Sequence, residues 1–436
     1  MTKLLKYASV WILISVMFAS CSKKEEEVPV PTTGNVTGKV VAAEGLAPLE
    51  GVQVSAFDAD TNEPAGASVK TGADGGFSIE LDPGTYYLRL AKLGYKEVPP
   101  PGVVAIPFTI TVGESTVLDF ELLASAVVDG GAISGQVTLN GAGVASVLVI
   151  ATDTLSSASY SSVTDAAGNY TIYNIPAGGY TVKGWLSGHN SEVAHANVAA
   201  KSTTTDIAIA LTAGATATLD GSVKFLATGN KEVDVALIHP GTLQAIPGLT
   251  IATMGIFTLT DIPDGEYLAR ASYNNDTLVV DPDFIVKFGD PVVVVSGGVA
   301  SVKSGLTISA TLDFAVTNAI TLISPTNFPS EIVPLEVADT STLVFSWTPY
   351  ASTSDYVVEL SDLNGNVIWG GFTVTGGVPT KNMSTIQTSY TYDGPALTAG
   401  KIYRWKVYAS KDQRATGTWS LISMSEDQMG LIKIVQ

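Results

Sequence analysis

The sequence is poor in the residues that build metal sites, thiol chemistry and nucleic-acid surfaces. Its 436 residues include one cysteine and three histidines, which excludes a disulfide-rich scaffold and a zinc finger. Charged residues make up only 15%, too few for a long coiled coil. The 41 acidic side chains outnumber the 23 basic ones, so the basic face that binds nucleic acid is missing. We therefore predict no cofactor and no nucleic-acid partner.

Catalytic motifs are scarce as well. His189, His195 and His239 fall on loops or strand ends, without partners at the spacing of a zinc site. The chain has no Gly-x-Ser-x-Gly elbow and no phosphate-binding loop. The acidic clusters 58–63 and 281–283 lack the spacing and glycine of a calcium loop, although structural calcium in a loop stays open. We predict no catalytic residue, no metal site and no enzyme activity.

The N-terminus has the pattern of an export signal. Lys3 and Lys6 precede an almost wholly apolar stretch, 7–18, which is too short to cross a bilayer but suits a signal peptide. It ends in small residues before Cys21, an arrangement that resembles a bacterial lipobox with an acylated cysteine. The sequence thus predicts a signal peptide over 1–20 and a lipidated tether over 21–34, held on a membrane by acyl chains.

The residues after Cys21 indicate where in the cell envelope the protein is located. The run Lys24-Glu25-Glu26-Glu27 resembles the surface-export signal of lipoproteins in the Bacteroidetes group, and the alternative is a solvated spacer. We expect a lipid anchor in the outer membrane with the protein facing outward, while a periplasmic orientation stays open. No later segment reaches 18 uninterrupted apolar residues.

Three copies of one β pattern repeat along the chain. Each copy opens with a strand in which a glycine precedes valine by two positions, at Gly38, Gly135 and Gly221. Further on, a glycine and an aromatic residue begin a segment that ends in a Pro-Gly turn and a tyrosine, at 75–86, 168–180 and 255–267. The aromatic residue starts a strand of period two, and proline and glycine favour a tight turn. Because helix signals are nearly absent, we predict an all-β chain of tandem antiparallel β-sandwiches.

The repeat resembles the carboxypeptidase regulatory-like domain, a transthyretin-like sandwich. The resemblance covers 35–124 and 130–213 well and 215–314 more loosely, because the third copy has an insertion near 279–299. The first copy lacks the Ile-Pro pair of the others and is one residue shorter. Members of that family sit beside catalytic domains or in strings on bacterial surfaces and are not themselves catalytic, so the resemblance implies a fold but identifies no ligand.

Residues 318–436 have a different character. The segment 397–409 resembles the part of a fibronectin type III domain in which a tyrosine corner opens a strand. Alternation divides this strand into an inward set, Tyr403, Trp405 and Val407, and an outward set, Arg404, Lys406 and Tyr408. We expect Trp347 and Trp405 to pack in the core.

Two other tryptophans are candidate ligand contacts. Alternation in 180–185 places Trp185 on the outward face with Lys183, where an indole could stack on a sugar or anchor a protein. The alternative is that Trp185 packs beneath the loop 186–193. Trp369 is the second candidate.

These observations favour a non-catalytic, lipid-anchored cell-envelope protein that presents binding modules for adhesion or for assembly of an envelope complex. Two alternatives stay open: a glycan-binding lipoprotein of a polysaccharide-uptake system, and an accessory subunit of an envelope enzyme. The short linkers near 124–132, 213–216 and 313–317 predict a rod of four sandwiches. The sequence does not identify the protein or glycan partner, because binding on such folds depends on variable loops.

Overall fold

The computed structural model is built from β-strands. It describes residues 32–59, 61–99, 105, 107–124, 130–226, 232–272, 278–280, 289–304, 307–327, 333–338, 343–362, 367–373, 378–384, 387–413, 418–426 and 429–435. These residues form 38 strands and no helix, which confirms the all-β prediction. Accordingly, none of them belongs to a helix able to cross a bilayer. The predicted signal peptide and Cys21 lie outside the described residues.

Module 1 is a two-sheet sandwich. Its strands are β1 (Gly34–Ala42), β2 (Gln53–Asp58), β3 (Val69–Lys70), β4 (Gly76–Leu81), β5 (Gly84–Ala91), β6 (Phe108–Ile110), β7 (Ser115–Val117) and β8 (Phe120–Leu122). One sheet has the order β4-β1-β7 with β8 also paired to β1, and the other has the order β3-β2-β5-β6.

Module 2 repeats this plan. Its strands are β9 (Gly131–Leu139), β10 (Ala142–Gly143), β11 (Leu148–Asp153), β12 (Ser159–Val163), β13 (Asn169–Ile175), β14 (Gly178–Trp185), β15 (Asn190–Ser191), β16 (Ala194–Val198), β17 (Thr203–Thr204) and β18 (Ile209–Thr212). The first sheet has the order β10-β9-β18-β15, with β13 and β17 paired to β9, and the second has the order β12-β11-β14-β16.

Module 3 adds strands to the same plan. Its strands are β19 (Ala217–Phe225), β20 (Val233–Ile238), β21 (Ala245–Thr253), β22 (Ile256–Ile262), β23 (Gly265–Ser272), β24 (Leu278–Val280), β25 (Val292–Ser296), β26 (Val299–Ser304), β27 (Thr307–Ser309) and β28 (Leu312–Asn318). The sheets have the orders β22-β19-β28-β24 and β21-β20-β23-β25-β26-β27. In each module the first strand runs parallel to the last one, as in β1–β8, β9–β18 and β19–β28.

The C-terminal domain is a separate sandwich. Its strands are β29 (Leu322–Ser324), β30 (Leu335–Val337), β31 (Val344–Trp347), β32 (Asp355–Asp362), β33 (Val367–Gly370), β34 (Asn382–Ser384), β35 (Ser389–Thr391), β36 (Ile402–Gln413), β37 (Thr418–Met424) and β38 (Leu431–Ile434). A three-stranded sheet has the order β29-β31-β35, and a larger sheet has the order β30-β38-β36-β32-β33, with β34 paired to β32 and β37 to β36.

Alternation along β36 places the inward and outward sets on opposite faces as predicted, but one outward residue is buried. Trp347 and Trp405 are fully buried, as expected, and Tyr403 and Val407 join them in the core. Tyr408 was expected to face solvent, but only 6% of it is exposed, because it packs with Val357 and Leu421 on the other face of the sheet. Tyr408 therefore lies on the predicted face of the strand, and only its expected exposure to solvent is wrong.

The first three modules do not form a rod. One cluster of buried residues joins Phe57 of module 1, Leu148 and Trp185 of module 2, and much of the core of module 3. Modules 1 and 3 also touch directly, since the Gly248 amide donates to Glu63 Oε1 at 2.6 Å. The expectation of a linear array is wrong because these modules carry apolar side chains on outward sheet faces, which the packing of the three modules buries. We call this three-module unit the head.

Candidate functional site

The shared core of the head is built from strands that carry apolar side chains on both faces. In β11, Val149 packs inside module 2 while Leu148 and Ile150 point into the shared core. In β20, Val235 and Leu237 belong to the shared core as well. A continuous apolar run is typical of a strand buried on both faces, and this is the signal that sequence reasoning could have used.

Trp185 is the centre of the contact between modules 2 and 3. It lies on the face predicted by alternation, yet only 7% of it is exposed. Its ring meets His239 edge-on at 5.3 Å and Tyr267 edge-on at 5.5 Å between centroids. Lys183 Nζ lies 4.1 Å from the indole centroid and donates to the Asp264 carbonyl at 2.8 Å. The expectation of a solvent-facing indole is therefore wrong, because module 3 covers it.

His239 is a buried base in this contact. Its Nδ1 accepts from the amides of Gly241 at 3.1 Å and Thr242 at 3.3 Å, so the neutral ring carries its proton on Nε2. Burial, and then the positive charge of Lys183, lower the pKa of His239 to about 4. The imidazole is therefore neutral at pH 7, accepts hydrogen bonds from a loop of its own module and packs against Trp185 of module 2.

The contact between modules 1 and 2 has a polar part beside the shared apolar core. Gln53 and Ser55 alternate with core residues in β2 and are buried, at 5% and 6% exposed. Gln53 Nε2 donates to Ser162 Oγ at 2.6 Å, and Arg89 donates to Ser161 Oγ at 3.1 Å. These polar outward side chains in the first copy match a polar face on module 2.

A cleft of about 670 Å³ opens between modules 1 and 3. Its walls come from the turn after β2, the β4–β5 turn and the strands β20 and β21. The lining carries five carboxylates, at Asp58, Glu63, Glu80, Asp82 and Asp234. Among the described residues that line it there is no lysine, arginine or histidine. The volume suits a small ligand or a peptide side chain, and the charge favours cationic groups over anionic ones.

Burial shapes the titration of two of these carboxylates. Burial raises the pKa of Glu63, and the hydrogen bond from Gly248 only partly opposes this effect. The pKa of Asp234 is also raised, first by burial and then by the neighbouring charges of Asp58 and Glu232. The acidic run 58–63 had drawn attention in the sequence, but its partners in module 3 could be found only in the folded chain.

Trp369 is also inside the protein. It is 7% exposed, packs on Phe345, Tyr390 and Tyr392, and donates from Nε1 to Asp393 Oδ1 at 2.7 Å. The hydrogen bond from Lys381 is the main cause of a lowered pKa at Asp393. The structure therefore keeps Trp185 and Trp369 apart, in different domains, and gives each indole protein neighbours. No group of three His, Cys, Asp or Glu side chains in the described residues is arranged for a metal ion.

One comparison with known proteins identifies the type of module. The family model of the carboxypeptidase regulatory-like domain matches residues 35–123 and 132–224. The second match ends inside β19, the first strand of module 3. No curated protein sequence matches the chain.

Solved structures resemble the chain only distantly. The Bacillus anthracis TIE protein is 14% identical over 66% of this chain and 51% of its own length, with a TM-score of 0.17, so the chain spans about half of that protein. The shaft pilin SpaA from Lactobacillus rhamnosus GG is 11% identical over 42% of this chain and 98% of its own, with a TM-score of 0.19. The minor pilin GBS52 from Streptococcus agalactiae is 13% identical over 41% and 96%, with a TM-score of 0.18.

Scores this low carry no argument about fold or function. The family match and the repeated strand order are independent of them, and both point to the same conclusion for the first two modules. Residues 35–123 and 132–224 are two carboxypeptidase regulatory-like domains in tandem.

Proposed function

We propose that this protein is a non-catalytic, lipid-anchored protein of the outer membrane that displays its head outward for adhesion or for assembly of an envelope complex. The observation that carries the proposal is the shared core of modules 1, 2 and 3. Modules fused in this way hold their loops in fixed relative positions, which a flexible string of domains does not do. A preorganised surface binds a partner with a smaller loss of conformational entropy.

The anchor rests on the sequence around Cys21, with its apolar leader and small residues before the cysteine. We propose that acyl chains on Cys21 hold the protein on the membrane and that residues 22–34 separate the head from the lipid. The run Lys24-Glu25-Glu26-Glu27 supports an outward orientation.

We further propose that the C-terminal domain is of the fibronectin type III kind. The Tyr403 hydroxyl oxygen accepts from the Thr398 amide at 2.9 Å, five residues upstream, which is the geometry of a tyrosine corner. The neighbouring order β33-β32-β36-β37 is consistent with the larger sheet of that fold. Modules of this type present protein-binding loops at the ends of a rigid sandwich.

The glycan alternative depended on open stacking faces at Trp185 and Trp369. Since both indoles are buried against protein, a protein partner is the better supported proposal. Module 3 repeats the strand plan of the two recognised domains, and we propose that it is a divergent member of the same family.

Affinity capture of the full-length chain from intact cell membranes tests this function. We expect one envelope protein to be enriched, whereas capture of a single hydrolase would favour the accessory-subunit role. Tight binding of the full-length chain on a glycan array would contradict our preference. A Cys21→Ala variant should leave the membrane fraction, and retention there would contradict the anchor.

A paired variant locates the binding surface on the head. Glu80→Gln with Asp82→Asn removes two charges from the cleft, while Glu44→Gln with Glu121→Gln removes two exposed charges elsewhere on module 1. Capture that falls only in the first pair would place the partner at the cleft. Equal capture by both would place the partner away from the cleft, on another part of the head or on the C-terminal domain.

A further inference from the structure

The same kind of turn joins module 1 to module 2 and module 2 to module 3. A four-residue turn follows β5 at 92–95 and β14 at 186–189, and in each a backbone hydrogen bond runs from the fourth amide to the first carbonyl. The third residue is glycine in both, Gly94 with φ 82° and Gly188 with φ 76°. A turn with positive φ at its third position is of type II, and the amide of that residue is free to donate outside the turn.

In both turns this glycine amide donates to the next module. Gly94 donates to Asn174 Oδ1 at 3.2 Å, and Asn174 Nδ2 donates back to the carbonyls of Lys92 at 3.2 Å and Tyr95 at 2.9 Å. Gly188 donates to the Asp261 carbonyl at 2.7 Å. The two joints therefore use equivalent donors, although one acceptor is a side chain and the other is backbone.

The two acceptors occupy equivalent positions. Asn174 has φ 55° and Asp261 has φ 60°, and each directly precedes the Ile-Pro pair of its module. Each sits where the register between the first strand and its antiparallel partner shifts by one residue, as in a β-bulge. Asn and Asp tolerate this left-handed conformation better than most residues, which explains their presence.

Module 1 lacks this bulge. Its strand β4 pairs with β1 without a shift, and Glu80 alone separates Ile79 from Leu81. Module 2 has two residues, Tyr173 and Asn174, between the corresponding Ile172 and Ile175. The missing residue explains why the first copy of the repeat is one residue shorter. Strand β4 instead borders the acidic cleft.

We propose that the bulge residue before Ile-Pro is the docking site for the preceding module, and that its ligand is a type II turn with glycine in third position. A copy with the bulge binds the turn of another carboxypeptidase regulatory-like module, and a copy without the bulge has no binding site for that turn. The bulge thus determines which modules can pack against the module that precedes them in the chain.

Hydrogen exchange on the full-length chain, followed by mass spectrometry, tests this proposal. Asn174→Gly keeps the positive φ and removes the three hydrogen bonds to the turn, which predicts exchange at 92–95 at least about tenfold faster. Asn140→Gly is the matched control, because Asn140 has φ 52° in a hairpin of module 2 outside the joint. We expect the control to leave exchange at 92–95 unchanged.

Unchanged protection of 92–95 in Asn174→Gly would overturn the proposal. So would a loss of protection that spreads through β11 and β14, because the residue would then serve the fold of module 2. Deletion of Asn174 gives a second test, since module 1 folds without the bulge. The deletion should free 92–95 while β11 and β14 stay protected, and global exchange of module 2 would count against a docking role.

Discussion

The Trp185 ring of module 2 lies edge-on to the Tyr267 ring of module 3, with planes at 80° and centroids 5.5 Å apart. Tyr267 also belongs to the interior of its own module, where its hydroxyl donates to the Pro263 carbonyl at 2.7 Å. The tyrosine that closes the Pro-Gly turn of module 3 is thus in contact with the preceding module. The Tyr267 side chain therefore contributes both to the folding of module 3 and to its docking on module 2.

Trp185→Ala should therefore destabilise the head. Removal of a buried tryptophan costs about 3–5 kcal/mol in the free energy of unfolding, measured by urea denaturation. Leu155→Ala in the same module is the control, because Leu155 is 94% exposed and should change stability by about 0.5 kcal/mol or less. A Trp185→Ala variant as stable as the control would contradict the buried position.

The stability of the head should fall in mild acid because of His239. Its pKa is about 4 in the folded chain, below the ordinary value of 6.5. The stabilisation is therefore complete above pH 6.5 and is lost as the pH falls towards 4, by up to about 3 kcal/mol. His239→Asn keeps an acceptor but does not titrate, so its unfolding free energy should show a shallower slope between pH 6.5 and 4.

His195 supplies the control for the substitution of a histidine by asparagine. It is exposed, and His195→Asn should leave the free energy of unfolding at pH 7 within about 0.5 kcal/mol of the wild type. Identical slopes in wild type and His239→Asn would show that the buried imidazole is not the cause.

Glu63 should behave in the opposite way. Because burial raises its pKa, the ionised carboxylate is disfavoured in the folded chain, and the stability linked to its protonated form is lost as the pH rises through the folded pKa. Glu63→Gln should be at least as stable as wild type at pH 7. Glu63→Ala leaves the Gly248 amide unpaired and should cost about 1–3 kcal/mol. Denaturation at pH 7 compares the three, and a large loss in Glu63→Gln would disprove this account.

The glycine of the first strand in each copy should resist substitution. A Cβ at Gly135 would lie 1.9 Å from the Ile207 carbonyl oxygen, and Gly38 and Gly221 have similar collisions with backbone. Gly135→Ala should cost about 2–4 kcal/mol, measured by thermal and urea unfolding. Gly255→Ala meets open space and should be nearly neutral. Equal stability of the two variants would contradict the close backbone crossing.

Local patterns predicted the sandwiches well. The period-two alternation around Tyr180 and Tyr267, the Pro-Gly turns, and the core positions of Trp347 and Trp405 all depend on neighbours in sequence. The cleft and the joints between modules could not be predicted from local sequence patterns. Glu63 and Gly248 are 185 residues apart, and no local rule brings them together.

The sequence by itself determined that the chain is all-β, which residues share a strand face, and that the first copy of the repeat differs from the others by one residue. Only the tertiary structure decided what covers each outward face. It placed Trp185 against His239 and Tyr267, and it brought Asn174 into hydrogen-bonding contact with a turn of module 1. The physical reason is that strand alternation fixes the direction of a side chain relative to its own sheet, whereas burial depends on a second surface whose position is set by contacts distant in sequence.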